Sequence, residues 1–305
     1  MTIEIIGPEA EAYLTWAGLT RALTAGHQLP RAEIGDTFLY RGRDTLLTRS
    51  AWIDGMGLAV KSATVFPGNP ATGRPMVNGA VNLYSDTTGL LDALVDFHLV
   101  TKWKTAGDAL LSASLLARPD SRNILLVGAG TVARSMVSAY GSLFPEARFM
   151  VWNRSPGAAE KLASEVSHVT AVTDLAGAVG QADIIATATM ATDPLIKGEW
   201  LRPGTHLDLI GAYRPDMREV DDAALLRARI FVDSRATTID HIGELKLPIA
   251  AGVITRADVL ADFYDIAAGL YRRTSDQEIT IAKNGGGAHL DLMTSRFILE
   301  AWRNR

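Results

Sequence analysis

The stretch "NILLVGAGTVARSM", residues 123–136, decides the fold, because an apolar run passes directly into glycines and then into a helical pattern. Residues 123–127 are typical of a strand buried on both faces. The helical pattern that follows places apolar residues four apart, at Val132, Met136, Tyr140 and Phe144. Further apolar runs with helical segments between them stand at 147–152, 182–189, 205–211 and 229–234. This alternation predicts an α/β fold with a doubly wound parallel sheet.

The glycines after the first strand have the spacing Gly128-x-Gly130-x-x-Ala133. Gly128 allows a tight turn, Gly130 lets the backbone approach a pyrophosphate, and the small Ala133 lets helix and strand pack closely. An anion is then favoured at the helix N-terminus, where the N–H groups are free. The motif therefore predicts a Rossmann-type dinucleotide site. The residues that we assign to the cofactor here and in the loop after strand 182–189 are Gly128, Ala129, Gly130, Thr131, Val132, Thr189 and Met190.

The end of the next strand indicates which dinucleotide is bound. NAD sites usually place a carboxylate there for the ribose 2′-hydroxyl, whereas this strand ends in Asn153, Arg154 and Ser155. Arg154 can pair with a 2′-phosphate, and its two neighbours can donate hydrogen bonds to it. We therefore expect NADP(H) to be preferred, with NAD(H) as the alternative.

The N-terminal third has a different rhythm. Short strand-like runs at 57–66, 77–84 and 90–96 are separated by turn sequences, with no long helix between them, which predicts an antiparallel sheet. A long helix is predicted over 99–118. The chain thus combines the Rossmann-type sheet with a smaller α+β domain.

Composition excludes several classes of function. The 305 residues carry a net charge of −4, without the basic face of a nucleic-acid-binding protein. The chain has no cysteine, which excludes disulfides and thiolate ligands, and its six histidines lack metal-ligand spacing. We expect no metal, no membrane segment, no signal peptide and a cytoplasmic location.

Lys61 interrupts an apolar strand pattern. At period two it shares a face with Ala59, Ala63 and Val65, so its ammonium is either paired in a buried site or reaches water from an edge strand. The residues alone leave both interpretations open. Two interpretations of Lys104 are open as well. It either forms an ion pair with Asp108 on the surface of the long helix or binds an anion in a cleft.

Several linked motifs resemble those of the ornithine cyclodeaminase/mu-crystallin family. They include "GLAVKSATVFPGNPATGRP", "LVTKWKTAGDALLSASLLARPDSRNILLVGAGTVARSM", "WNRSPGAAEKLA" and "LIKGEWLRPGTHLDLIGAYRPDMREVDD", and they extend from about residue 57 to 245. The resemblance implies a homodimer with its active site in a cleft between two domains. Residues 1–118 and 281–305 would form the substrate-binding and dimerisation domain, and residues 119–280 the dinucleotide-binding domain.

The family's site residues carry over by position. The family lysine matches Lys61, and its helix arginine falls at Lys104, which keeps the charge but loses the bidentate fork. A second family arginine is matched by Arg31. The resemblance thus implies that Lys61, Arg31 and Lys104 are the catalytic residues.

The segment "GAYRPDMREVDD" (211–222) indicates which family activity to expect. The catalytic aspartate of the cyclodeaminases is replaced by Tyr213, and a nearby lysine by Met217. Tyrosine is a far weaker base near neutral pH, and the segment is similar to that of mu-crystallin-type ketimine reductases. We expect its charged residues after Pro215 to be solvated, with Asp221 and Asp222 near a helix N-terminus.

The expected activity is therefore NAD(P)H-dependent reduction of a small 2-imino acid to the L-amino acid. Cyclic ketimines such as Δ1-pyrroline-2-carboxylate and Δ1-piperideine-2-carboxylate are the first candidates. The alternatives are an acyclic imino acid reductase or amino acid dehydrogenase (iminosuccinate or alanine type), an ornithine cyclodeaminase, and a non-catalytic mu-crystallin-like binding protein.

Overall fold

The computed structural model describes residues 3–305, and they divide into two compact units, residues 3–104 with Gly287–Arg305, and Thr105–Gly286. The sequence-based boundaries at 118/119 and 280/281 differ from these. One reason is that the helix predicted over 99–118 runs through the structural boundary at 104/105, so that no loop marks the division. The assignment of a substrate role to one unit and a cofactor role to the other stays a prediction.

The first unit contains a six-stranded sheet with the order β1-β6-β5-β4-β3-β2. Only β1 and β6 pair in parallel, and the other pairs are antiparallel as expected. The strands are β1 (Glu4–Ile6), β2 (Glu33–Arg41), β3 (Asp44–Ile53), β4 (Gly57–Val65), β5 (Val77–Tyr84) and β6 (Leu91–Asp96). Two helices of this unit pack on each other, α1 (Trp16–Gly26) and α9 (Ala288–Arg303). Helix α9 also covers one face of β3, β4 and β5.

Helix α2 (Phe97–Leu116) continues from β6 into the second unit. That unit is built on an eight-stranded parallel sheet with the order β13-β12-β14-β11-β10-β7-β8-β9. Its strands are β7 (Asn123–Val127), β8 (Arg148–Trp152), β9 (Val169–Ala171), β10 (Ile184–Thr187), β11 (His206–Leu209), β12 (Ala228–Val232), β13 (Val259–Ala261) and β14 (Ile279–Lys283). Its other helices are α3 (Thr131–Leu143), α4 (Pro156–Glu165), α5 (Leu175–Gln181), α6 (Asp222–Arg227), α7 (Arg235–Thr238) and α8 (Gly243–Ala250).

The predicted fold class is confirmed by this parallel sheet and by the separate mixed sheet. Strand order reverses between β7 and β10, the topological switch point at which doubly wound sheets bind ligands. The buried faces of the strands supply the core, with Leu125, Ile185, Leu207, Val232 and Ile281 among its members.

Three strands of the parallel sheet escaped the sequence analysis, namely β9, β13 and β14. Residues 279–283 form β14 between β11 and β12, whereas we had assigned the chain from 281 onward to the substrate-binding and dimerisation domain. All five residues of β14 are buried. Gly285, Gly286 and Gly287 connect this strand to α9.

Candidate active site

The turn after β7 has the geometry that its glycines predict. Gly128 adopts φ +109°, and a Cβ there would lie 2.7 Å from the carbonyl oxygen of Ala188. A Cβ on Gly130 would meet no atom within 4 Å, so the chain leaves open space beside this residue. Helix α3 begins at Thr131 without a side-chain cap, which leaves its first N–H groups for an anion. These observations fit a dinucleotide pyrophosphate.

A cavity of about 260 Å³ opens at this turn. Its lining includes most of the residues that we assigned to the cofactor, namely Gly128, Ala129, Gly130, Asn153, Arg154, Ser155, Thr189 and Met190. Thr131 and Val132 lie in the first turn of α3 beside it. The ends of β7, β8 and β10 are thus brought together at one site.

Asn153 connects two parts of the cavity wall through hydrogen bonds of its side-chain amide. Its Oδ1 accepts a hydrogen bond from Ala129 N at 3.2 Å, and its Nδ2 donates to the carbonyl oxygen of Ser155 at 3.1 Å. The amide therefore holds the glycine turn against the loop after β8. Arg154, next in the chain, is exposed on the cavity wall, and no carboxylate of residues 3–305 forms a salt bridge with it.

One expectation about the segment 211–222 is wrong. We had predicted that its charged side chains after Pro215 are solvated, but Glu219 is fully buried. Its carboxylate accepts hydrogen bonds from Thr189 N (2.9 Å), Thr189 Oγ1 (2.6 Å), Gly211 N (2.8 Å) and Ala212 N (3.2 Å). It thereby connects the loops that follow β10 and β11. Asp221 behaves as predicted and caps the N-terminus of α6.

A second buried acid lies behind Glu219. Glu244 accepts hydrogen bonds from the backbone N–H groups of Glu219 and Val220, at 2.7 and 3.1 Å. Burial and, to a smaller extent, the negative charge of Glu219 raise the pKa of Glu244 to about 7. Lys283 at the end of β14 is also buried, and burial lowers its pKa against the opposing charges of Glu219 and Glu244.

Lys61 lies on β4, in the interior of the first unit's sheet, and is only 7% exposed. Its Nζ donates to Asp291 Oδ1 at 2.9 Å and to Thr101 Oγ1 at 2.8 Å, and lies 4.7 Å from the centre of the Phe97 ring. The edge-strand alternative is therefore wrong, and the paired, buried alternative is correct.

The ion pair between Lys61 and Asp291 is surrounded by further positive charge. Burial lowers the pKa of the Lys61 ammonium, and the charges of Lys104 and Arg49 lower it further, against the stabilising effect of Asp291. Burial alone raises the pKa of Asp291, but the charges of Lys61 and Lys104 reverse this and lower it. The second oxygen, Oδ2 of Asp291, is buried and has no hydrogen-bond partner among residues 3–305.

The other two residues predicted to be catalytic lie in different surroundings. Lys104 is half-buried on α2 and acts electrostatically on Lys61. The prediction of a surface ion pair between Lys104 and Asp108 is wrong, because Asp108 is buried and accepts a hydrogen bond from Asn284 at 2.8 Å. Arg31 is exposed and precedes β2. Sequence reasoning missed Asp291, Arg49 and Thr101, although a buried lysine does imply a buried carboxylate somewhere in the chain.

Comparison with known proteins identifies the family. The profile of the ornithine cyclodeaminase/mu-crystallin family matches residues 50–305. The chain belongs to the ornithine cyclodeaminase/mu-crystallin family. The resemblance drawn from the sequence is thus confirmed. Within the family, the chain is 53% identical over 296 residues to the Δ1-pyrroline-2-carboxylate reductase of Paracoccus denitrificans, covering 95% of this chain and 94% of that protein.

Two solved structures of family members share the fold. The Thermococcus litoralis Δ1-pyrroline-2-carboxylate reductase, in complex with NADH and L-proline, superposes with a TM-score of 0.89 at 25% identity, covering 99% of this chain and 98% of that one. An archaeal alanine dehydrogenase dimer with bound NAD gives a TM-score of 0.89 at 28% identity, covering 100% and 97%. A bound nicotinamide cofactor therefore agrees with both the glycine turn after β7 and the two solved structures.

In the part of the chain that the structure describes, residues 3–305, no group of three or more His, Cys, Asp or Glu side chains is placed to hold a metal ion. None of the helices in those residues combines the length and the apolar character that crossing a bilayer demands.

Proposed function

We propose that the chain reduces a cyclic 2-imino acid, with Δ1-pyrroline-2-carboxylate as the first candidate, to the corresponding L-amino acid. The observation that carries this proposal is the 53% identity to the Paracoccus denitrificans reductase, because it extends over 95% of the chain. The glycine turn after β7 and the buried, ion-paired Lys61 support it independently. The exposed Tyr213 disfavours cyclodeamination, since this position offers no carboxylate base.

In this proposal Lys61 governs the protonation of the substrate nitrogen. An imine accepts hydride well only when its nitrogen carries a proton. A lysine whose pKa is lowered by burial gives up a proton more readily near neutral pH. Asp291 holds the ammonium in place, and Thr101 fixes its direction. A bound reduced nicotinamide supplies the hydride, so that imine, proton and hydride together give the amine.

The assay that tests the function follows the absorbance of the reduced nicotinamide, with NADPH and NADH in parallel. Δ1-Pyrroline-2-carboxylate, Δ1-piperideine-2-carboxylate and iminosuccinate are offered as substrates, and a matched sample contains L-ornithine with NAD and is analysed for ammonia. We expect rapid oxidation of the cofactor with a cyclic imine. Release of ammonia from ornithine without net change of the cofactor contradicts the proposal and indicates a lyase.

We further propose that NADP(H) is preferred to NAD(H). The support is an exposed Arg154 on the wall of the cofactor cavity, with no carboxylate where NAD sites usually carry one. Because hydrogen bonds to charged groups contribute about 1.5–3 kcal/mol, Arg154→Ala should raise the KM for NADPH by about 10- to 100-fold. The KM for NADH should change little.

Arg148→Ala is the matched control for this variant. Arg148 is an exposed arginine at the opposite end of β8, and its loss should leave both KM values unchanged. Equal losses with NADPH and NADH in Arg154→Ala would show that Arg154 does not recognise the 2′-phosphate.

We also propose a homodimer formed through the sheet of the first unit. The face opposite α9 exposes apolar side chains, with Leu39 61% and Trp52 49% accessible, beside a cavity of about 430 Å³. Apolar patches of this kind mark interfaces, and the alanine dehydrogenase with the same fold is a dimer. A second copy of this chain is therefore the occupant that we propose.

Light scattering tests the dimer. The wild-type chain should have about twice the monomer mass of 32.7 kDa, and Trp52→Glu should shift it toward the monomer. Leu226→Glu, at an exposed leucine of α6 in the other unit, should remain dimeric. A dimeric Trp52→Glu would place the interface elsewhere.

A further inference from the structure

Three charged side chains form a row across the sheet of the first unit. Asp36 on β2 is the register partner of Arg49 on β3, which is the register partner of Lys61 on β4. Directly opposed residues of antiparallel strands project from the same face. Arg49 therefore lies beside the candidate catalytic lysine, on the face that α9 covers.

The guanidinium of Arg49 is oriented by Asp36. Its Nε donates to both carboxylate oxygens at 3.1 Å, and its Nη2 donates to Oδ2 at 2.9 Å. The two side chains are 25% and 30% accessible, whereas Lys61 and Asp291 are buried. The row thus changes from a buried ion pair to a partly open one, and Arg49 is the cation at its open end.

The charges of Asp36, Arg49, Lys61, Lys104 and Asp291 do not balance. Lys61, Lys104 and Arg49 are three cations, and the carboxylates that pair with two of them are Asp36 and Asp291. When all five groups are ionised, one positive charge is left over. A substrate with one carboxylate neutralises it, and neutralisation is worth most where the surroundings are partly desolvated.

We propose that Arg49 binds the carboxylate of the imino acid, with Asp36 as the positioning residue that sets the direction of its guanidinium. This inference rests on the proposed function and names the recognition element of the same site. A guanidinium presents five donors in a planar fork that matches carboxylate geometry, so it can serve Asp36 and a second carboxylate. Arg49 thereby supplies the fork that Lys104 lacks.

Arg31, which the family resemblance favoured for this role, is placed less well. It lies outside β2, five residues before Asp36 in the sequence, whereas Arg49 is directly opposite Lys61. Strand residues rise about 3.3 Å each, so the two arginines are separated along the sheet by several rows.

Variants of Arg49 test the proposal through the carboxylate itself. With Arg49→Gln we expect the KM for the imino acid to rise about 10- to 100-fold, because the charge-assisted hydrogen bonds to the carboxylate are lost, while kcat changes less than three-fold. Calorimetry of L-proline and of L-prolinamide, each with oxidised cofactor present, gives a second readout. The wild type should prefer the carboxylate, and Arg49→Gln should lose that preference.

Two further variants keep the result interpretable. Arg49→Lys retains the charge and the fold but not the fork, and should fall between wild type and Arg49→Gln. Arg41→Gln is the matched control, because Arg41 pairs with Asp44 near the tip of the same hairpin, and it should behave as wild type.

The outcomes separate the two proposals. A wild type that reduces no imino acid with either cofactor refutes the proposed function. An active wild type whose Arg49→Gln and Arg49→Lys variants retain the KM and the preference for L-proline over L-prolinamide overturns the role of Arg49. A wild type that binds both ligands equally also overturns it.

Discussion

Lys61→Met should lower kcat/KM for the imino acid by about 10²- to 10⁴-fold, the usual contribution of a positioned acid or base. The physical reason is that the buried ammonium of Lys61, held by Asp291 and Thr101, governs the protonation of the substrate in our proposal. The affinity for the reduced nicotinamide should stay within about two-fold, because the residues lining the cofactor cavity do not include Lys61 or its hydrogen-bond partners Thr101 and Asp291. Steady-state kinetics and titration of cofactor fluorescence measure the two quantities.

Loss of Lys61 also affects folding, so stability has to be separated from chemistry. Asp291 is left as an unpaired buried charge, which costs about 3–5 kcal/mol. The double variant Lys61→Met/Asp291→Asn removes that charge and should recover most of the lost unfolding free energy without recovering turnover. If the folded double variant, or Lys61→Met itself, reduces the imine at the wild-type rate, Lys61 has no part in the mechanism.

The sequence predicted the parts of the molecule that depend on local pattern. The parallel sheet followed from apolar runs that alternate with helical segments, and the glycine turn followed from spacing within a few residues. Lys61 could be recognised as a candidate because period two placed it among buried neighbours. Its partner could not, since Asp291 lies 230 residues away and the pairing depends on how α9 crosses the sheet.

Arg49, which was missed, and Glu219, whose surroundings were wrongly predicted, show the same limit. Arg49 was not singled out from the sequence, because its proposed role depends on strand register with Lys61 and not on its neighbours in the chain. Glu219 stands in a run of charged residues, and such a run normally predicts solvent. Only the structure shows that three backbone N–H groups converge on its carboxylate.

Glu219→Ala should lower the free energy of unfolding by about 3–5 kcal/mol, the range for disrupting a buried charged network. The backbone N–H groups of Thr189, Gly211 and Ala212 lose their acceptor in a buried site, and each unsatisfied group costs about 1–3 kcal/mol before relaxation. Because Thr189 lines the cofactor cavity, the dissociation constant of the nicotinamide cofactor should also rise, by at least about 10-fold.

The loss of unfolding free energy should depend on how many acceptor oxygens remain at position 219, and a conservative variant tests this explanation. Glu219→Gln keeps the shape and one acceptor oxygen, so it should lose about half as much unfolding free energy as Glu219→Ala. Asp216→Ala is the matched control, since Asp216 is an exposed carboxylate of the same segment that pairs with Arg214, and denaturant unfolding should not distinguish it from wild type. Equal stability of Glu219→Ala and wild type would mean that water replaces the carboxylate. The loops after β10 and β11 would then be held by their own backbone contacts, and Glu219 would not be needed to shape the cofactor cavity.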